Sequence, residues 1–440
     1  MSLKSNGYVI DSANGEAAST ARQWLQAADI GSEAWWQRLA TTGAPLIDAL
    51  PANQVCVTFI WRDEQGDERH SRIERVYADV NCVTDHHSFS PQSLARCPGT
   101  DVWYWQVVIQ HDWRGSYSFI PIEREQLPPV FSGTPEEQNR RQRRWWCSLF
   151  PLMRHDPLNR IAPHRSSRGF PLSAIHLPAA PDQSAWLALD AGSASADPRR
   201  LQHFHWHSDR LANQRRIWLY TTGGEAQADE RPLVLLLDGQ FWAEGIPAFS
   251  ALDAQTQAGA LPPAVYLLID AIDMTQRAEE LPCNPLFWQA VQAELLPLVS
   301  ARTRYSADPQ RTVVAGQSYG GLAALYAGLH WPQRFGRVLT QSGSFWWPHL
   351  EFVIEARAGQ PASVGWLTEQ VAQGVGAAAP LTVFQEAGDR EEEIAHVNRQ
   401  MNRALSAAGH RVHYRAVAGG HDAVCWRGGL IDGLKILLNS

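Results

Sequence analysis

The chain of 440 residues predicts an all-β domain of short strands followed by an α/β domain on a mainly parallel sheet. Three observations carry this. Strand signals with turn residues between them dominate from about 45 to 125, and apolar strand-like runs alternate with helical periodicity from about 200 onward. At one of the later junctions stands Gly316-Gln-Ser318-Tyr-Gly320, after apolar Val313, Val314 and Ala315 and before Leu322, Ala323, Leu325 and Tyr326 at helical spacing. Strand, tight turn and helix with a serine at the corner is the nucleophile elbow of an α/β-hydrolase sheet. A bare G-x-S-x-G arises by chance in roughly one in seven chains of this length, so its placement carries the argument.

Composition bounds the rest. Hydrophobic residues make up 45% and charged residues 19%, as in ordinary globular proteins. The formal charge of −7 argues against a nucleic-acid protein or a basic membrane-surface protein. Met1-Ser-Leu-Lys-Ser-Asn-Gly has no signal-peptide pattern and no apolar run approaches a bilayer span, so the expected compartment is cytoplasmic. The six cysteines lack C-x-x-C spacing, so no zinc site or disulfide framework is expected. Nineteen tryptophans, several in pairs, read first as packing residues.

In chain order, residues 1–30 form a polar segment. A domain over 31–150 follows, with strands at 55–61, 72–77, 102–109 and 113–119, a pattern that suggests an immunoglobulin-like β-sandwich. Asp85-His86-His87 offers metal-ligand types, and the solvated-turn reading outweighs it. Residues 151–200 are proline-rich and read as a linker, in which Arg165 and Arg168 could reach the second domain's cleft, although the solvated-loop reading outweighs this. The α/β domain takes 201–440, with strands at 216–221, 233–237, 265–269, 312–315, 337–340, 381–384 and 412–415. Helices are expected at 286–303, 320–330, 392–407 and 429–438, and the chemistry belongs at the carboxyl ends of the strands.

A serine nucleophile needs a base, and the base needs an orienting acid, in the chain order Ser, Asp or Glu, His. His421, in a glycine turn after the last strand, is the expected base. After the penultimate strand, Gly388-Asp389-Arg390-Glu391 presents carboxylates; Glu391 is the first choice of acid and Asp389 the alternative. The backbone N–H of Tyr319 is placed to bind an oxyanion, and that of Gln240, in Leu237-Asp-Gly-Gln-Phe-Trp242, is the expected second donor. Arg277 and Asn284 leave another strand on the same edge and could face substrate, although Arg277 could equally pair with Glu280. Arg427, close to His421, is a further candidate cation.

Together these residues resemble the enterochelin (enterobactin) esterase family over most of the chain. The resemblance runs through Val-Thr-Asp-His-His at 83–87, Trp-Arg-Gly-Ser-Tyr at 113–117, Leu-Leu-Asp-Gly-Gln-Phe-Trp-Ala-Glu at 236–244, Glu-Leu-Pro-Cys-Asn at 280–284, the elbow, and Gly-Gly-His-Asp-Ala-Val-Cys-Trp-Arg-Gly-Gly-Leu at 419–430. It implies an immunoglobulin-like domain before an α/β-hydrolase domain, with Ser318 as nucleophile, His421 as base and the acid at Gly-x-x-Glu, here Glu391. It also implies a substrate, the trilactone of a catecholate siderophore, cut to dihydroxybenzoylserine units in the cytoplasm, with iron entering as part of the substrate and no cofactor. On that view Trp242, Trp346 and Trp426 are candidates to stack on catechols or on arginines. Neither nucleic acid nor membrane is an expected partner. Two other readings predict different behaviour: an esterase of feruloyl or other acyl esters, indifferent to the siderophore, and a siderophore-binding protein with a vestigial elbow.

Overall fold

The computed structural model describes residues 20–166, 169–349 and 364–439. Residues 1–19, the larger part of the expected polar segment, and Arg168 lie outside them. The chain divides into two compact units, residues up to Pro181 and residues from Asp182.

In the first unit, β1 (Leu46–Leu50), β2 (Gln54–Arg62), β4 (Ala95–Arg96) and β5 (Val102–Gln110) form one sheet in the order β1-β2-β5-β4. A second sheet holds β3 (Ile73–Val80), β6 (Arg114–Glu123), β7 (His164–Arg165) and β8 (Pro171–His176) in the order β3-β6-β8-β7. All pairings are antiparallel. Val55, Val57 and Phe59 of β2 share one core with Val76 and Val80 of β3 and with Tyr117 and Phe119 of β6, which makes the unit a sandwich. Two helices absent from the strand-rich reading cover further apolar surface. Trp35, Trp36 and Leu39 of helix Glu33–Thr42 pack on Leu46, Ile60 and Val102, and Trp145 and Trp146 of helix Pro135–Ser148 pack on Tyr77, Ile120 and Ile122. These two tryptophan pairs are therefore packing residues. Asp85 accepts a hydrogen bond from the backbone N–H of His87, a local turn on the surface.

The stretch expected as a linker is split between the units. Its residues up to 181 supply β7 and β8, and 182–200 belong to the second unit. Prolines had argued against strand here, but Pro171 is the first residue of β8, where a missing N–H costs least.

The second unit is an eight-stranded sheet in the order β16-β15-β14-β13-β11-β12-β10-β9. Its members are β9 (Leu201–Ser208), β10 (Asn213–Thr221), β11 (Leu233–Leu237), β12 (Val265–Ile269), β13 (Thr312–Gln317), β14 (Arg337–Gln341), β15 (Thr382–Gly388) and β16 (Arg411–Val417). From β12 to β16 the pairing is parallel, and β10 and β9 close one edge antiparallel. Every residue of β11 and β12 is buried, as a parallel strand covered on both faces requires. Alternate residues of β11 feed two cores: Leu233, Leu235 and Leu237 one, Val234 and Leu236 the other. β9 carries three histidines and only two strongly apolar side chains beyond Leu201, which hid it from a hydrophobicity reading.

Between β13 and the helix Tyr319–His330 the backbone reverses so tightly that a methyl on Gly316 would lie 2.4 Å from the Gly320 carbonyl. Gly316→Ala should therefore lower stability by about 1–3 kcal/mol through overpacking, seen as a fall in melting temperature, together with loss of activity.

Candidate active site

Three non-glycine residues with positive φ stand at the carboxyl ends of three adjacent strands: Asp238 (54°) after β11, Ser318 (58°) after β13 and Ser342 (47°) after β14. Such angles are costly and cluster where side chains must be aimed. At Ser318 (ψ −121°) the twist sets the hydroxyl at the start of the helix. Past the strand end, the Ser318 N–H donates to Gln341 O at 2.9 Å and the Ser342 N–H to Glu386 O at 2.7 Å. The turns after β13 and β14 are thereby stitched to the neighbouring strands β14 and β15.

His421 and Glu391 meet in this region. Imidazole Nδ1 lies 2.7 Å from Glu391 Oε2. Glu391 is only 5% exposed, and its other oxygen accepts from the Ser342 hydroxyl at 2.5 Å and from the Gly388 N–H at 2.8 Å. Asp389, the alternative acid, is exposed, and its N–H is tied to Val417 O. With Nδ1 donating to a carboxylate, neutral His421 keeps its lone pair on Nε2, the tautomer a general base needs. Ser318 Oγ is half-buried and 3.3 Å from Ser344 Oγ, while the Ser344 N–H donates to Ser318 O.

The amides of Tyr319 and Gln240 belong to first helical turns, where N–H groups have no intrahelical acceptor. The Gln240 side chain accepts from the Ala271 N–H at 3.0 Å, which ties its turn to the loop after β12.

The structure redistributes the expected substrate contacts. Arg277 forms a bidentate pair with Asp238 at 2.6 and 2.8 Å, reaches Gln317 O at 3.3 Å, and lies 5.6 Å from the Tyr319 ring. Burial opposes its charge and the Asp238 carboxylate outweighs that, so its pKa is raised. It braces the elbow; Glu280 pairs instead with Arg215 at 2.6 Å. Arg427 is 2% exposed and is held by both Asp190 oxygens and by Gln183, beside the Trp186 ring, so it is a core cation. Trp242, 1% exposed, packs edge-on to Phe241 in the core and offers no face to a ligand. Asn284 caps helix Pro285–Ala290, accepting from the Leu286 N–H at 2.9 Å, with its amide donating to Glu279 O. Trp346 and Trp426 remain at the site. The first is half-buried with its ring 5.7 Å from that of Tyr319, and the second lies edge-on to His421 at 4.7 Å.

The sequence reading passed over Ser342, Ser344 and Arg390. Ser342-Gly-Ser344 directly follows an expected strand on this edge, a signal that was there to be used. Arg390 stands between two carboxylates, Asp389 and Glu391. It is half-buried, its N–H donates to Gly419 O at 3.1 Å, and its guanidinium has no salt bridge or side-chain hydrogen bond among the described residues.

Comparison with known proteins gives concordant matches. Residues 56–186 match the family model described as enterochelin esterase, N-terminal, and residues 208–437 the one described as putative esterase. The iron(III) enterobactin esterase of Dickeya dadantii is 59% identical over 94% of this chain and 94% of its own length. That of Escherichia coli K12 is 47% identical over 93% and 97%. Among solved structures, the ferric enterobactin esterase of Salmonella typhimurium superimposes with a TM-score of 0.82 at 46% identity, covering 93% of this chain and 99% of that one.

Because Arg427 is a core cation, Arg427→Gln leaves the half-buried Asp190 carboxylate without its partner. It should cost about 3 kcal/mol of stability with KM unchanged, measured by thermal melting beside steady-state kinetics.

Proposed function

The chain belongs to the enterochelin esterase family and is a carboxylic ester hydrolase, and from that premise we propose how its residues open the trilactone of enterobactin. The observation that carries the reading is the Glu391–His421 pair at the sheet edge that also holds the Ser318 elbow. Ser318 Oγ attacks a lactone carbonyl as its proton passes to His421 Nε2. The imidazolium is stabilised by Glu391, and the carbonyl oxygen, now negative, is held by the N–H groups of Tyr319 and Gln240. As the tetrahedral intermediate collapses, the C–O bond to the departing serine alkoxide breaks and His421 returns the proton to that oxygen. Water, activated by His421, then cleaves the acyl-enzyme. Repetition on the linear products gives dihydroxybenzoylserine.

A ferric catecholate complex is a large anion and needs a compensating cation in a low-dielectric site. Arg277 and Arg427 are committed to Asp238 and Asp190, so Arg390, next to the proposed acid, is the cation we assign to the substrate. Trp346 and Tyr319 supply aromatic surface beside Ser318 for a catechol ring. All six cysteines are free thiols, which supports a reducing, cytoplasmic setting. No helix among the described residues is long and apolar enough to cross a membrane.

Ser318→Ala should lower hydrolysis of ferric and iron-free enterobactin by about 10⁴-fold or more while binding persists, as read by chromatography of products and by fluorescence titration. Unchanged trilactone with the wild-type protein would overturn the assignment. Arg390→Gln should raise KM for the ferric siderophore by about 10-fold and leave KM for a neutral aryl ester unaltered.

A further inference from the structure

We propose that Trp426 and Ser342 form a positioning relay that holds the acid and the base of this site in register, a role that rests on the serine-hydrolase reading above. The geometry is a directed chain. Trp426 Nε1–H donates to Ser342 Oγ at 3.1 Å, and Ser342 Oγ donates to Glu391 Oε1 at 2.5 Å. Glu391 Oε2 in turn accepts from His421 Nδ1 at 2.7 Å. An indole N–H can only donate and an ionised carboxylate can only accept, so the single Ser342 proton is forced toward Glu391. The chain therefore has one polarity, set by residue type.

The two ends of the chain meet in one side chain. The Trp426 ring stands edge-on to the His421 imidazole, 4.7 Å between centroids and 85° between planes. The same indole that packs against the base thus sets, through one hydroxyl, the orientation of the acid. Both relay members are anchored. Ser342 is 2% exposed, with its N–H bound to Glu386 O and its φ at 47°. The Trp426 carbonyl accepts from Gln341 Nε2 at 2.9 Å, and its N–H donates to Asp422 O at 3.0 Å. During attack His421 gains a proton and a charge, and its partner must stay in place for that charge to be stabilised. A carboxylate held only through Oε2 and one backbone amide could swing with the imidazole; the relay adds a third donor and ties it to the ring beside the base.

The test uses Ser342→Ala, Ser342→Gly, Trp426→Phe and the Ser342→Ala/Trp426→Phe double variant of the full chain. Two readouts need no siderophore: the rate at which a fluorophosphonate labels Ser318, and kcat and KM for a simple aryl ester. Each single variant should lose about 10- to 100-fold in labelling rate and kcat with KM near wild type. The double variant should fall no further than the slower single, because both cuts sever one chain. Ser342→Gly relaxes the positive φ while deleting the hydroxyl, so the relay requires it to be as slow as Ser342→Ala. The proposal is overturned if labelling is unaffected while melting temperature drops, if the two losses multiply, or if the glycine variant recovers the rate. Trp426→Phe keeps the ring and so remains informative even if Ser342→Ala folds poorly. Failure to cut enterobactin with normal labelling would sink the substrate assignment and leave the relay standing.

Discussion

The Glu391 carboxylate is buried, and a buried anion is tolerable only when donors surround it. Its donors come from three different strand ends: the Gly388 N–H from β15, the Ser342 hydroxyl from the turn after β14, and His421 from the loop after β16. None of these loops could move alone without leaving a charge uncompensated. The requirement reaches further, because the Ser342 turn is stitched to Glu386 O and the β13 end to Gln341 O. One electrostatic demand thus sets the relative position of the elements that carry Ser318, His421 and Glu391. The antiparallel edge β10-β9 lies outside this set of contacts.

The same logic governs the arginines. In an acidic chain with buried carboxylates, a guanidinium near the sheet finds an internal partner before it is offered to a ligand. Arg277 goes to Asp238, 39 residues away, and Arg427 to Asp190, 237 residues away. Arg415 goes to Glu386, whose pKa burial raises despite that partner. The Arg277–Asp238 pair braces the elbow: Asp238 also accepts from Gln317, and a methyl on Gly320 would stand 3.2 Å from its Oδ2. Cations available to a ligand are then those left over, and proximity in sequence to a motif does not identify them unless internal carboxylates have left them unpaired.

The fold was legible where sterics and burial act locally. The all-buried strands at 233–237 and 265–269 were expected at the bounds the structure gives them, because a parallel strand covered on both faces needs an unbroken apolar run. The elbow was legible because no other residue than glycine fits where Gly316 meets Gly320. Less was legible where partners are remote. β7 and β8 were hidden by prolines, and β9 by its histidines. Asn284 and Trp242 looked available from their motifs, and only the fold shows one spent on a helix cap and the other sealed in a core.

By itself, the sequence determined the two-part architecture, the strand-to-helix corner bearing Ser318, and the strand-end turns bearing Glu391 and His421, since each depends on neighbours a few residues away. The tertiary structure decided which carboxylate meets the imidazole, which arginines are already neutralised, and that Ser342 and Trp426 sit against Glu391 and His421. Those outcomes depend on distances between residues tens to hundreds of positions apart, and charge compensation in a buried site is settled by whichever groups the packed sheet brings within hydrogen-bond range.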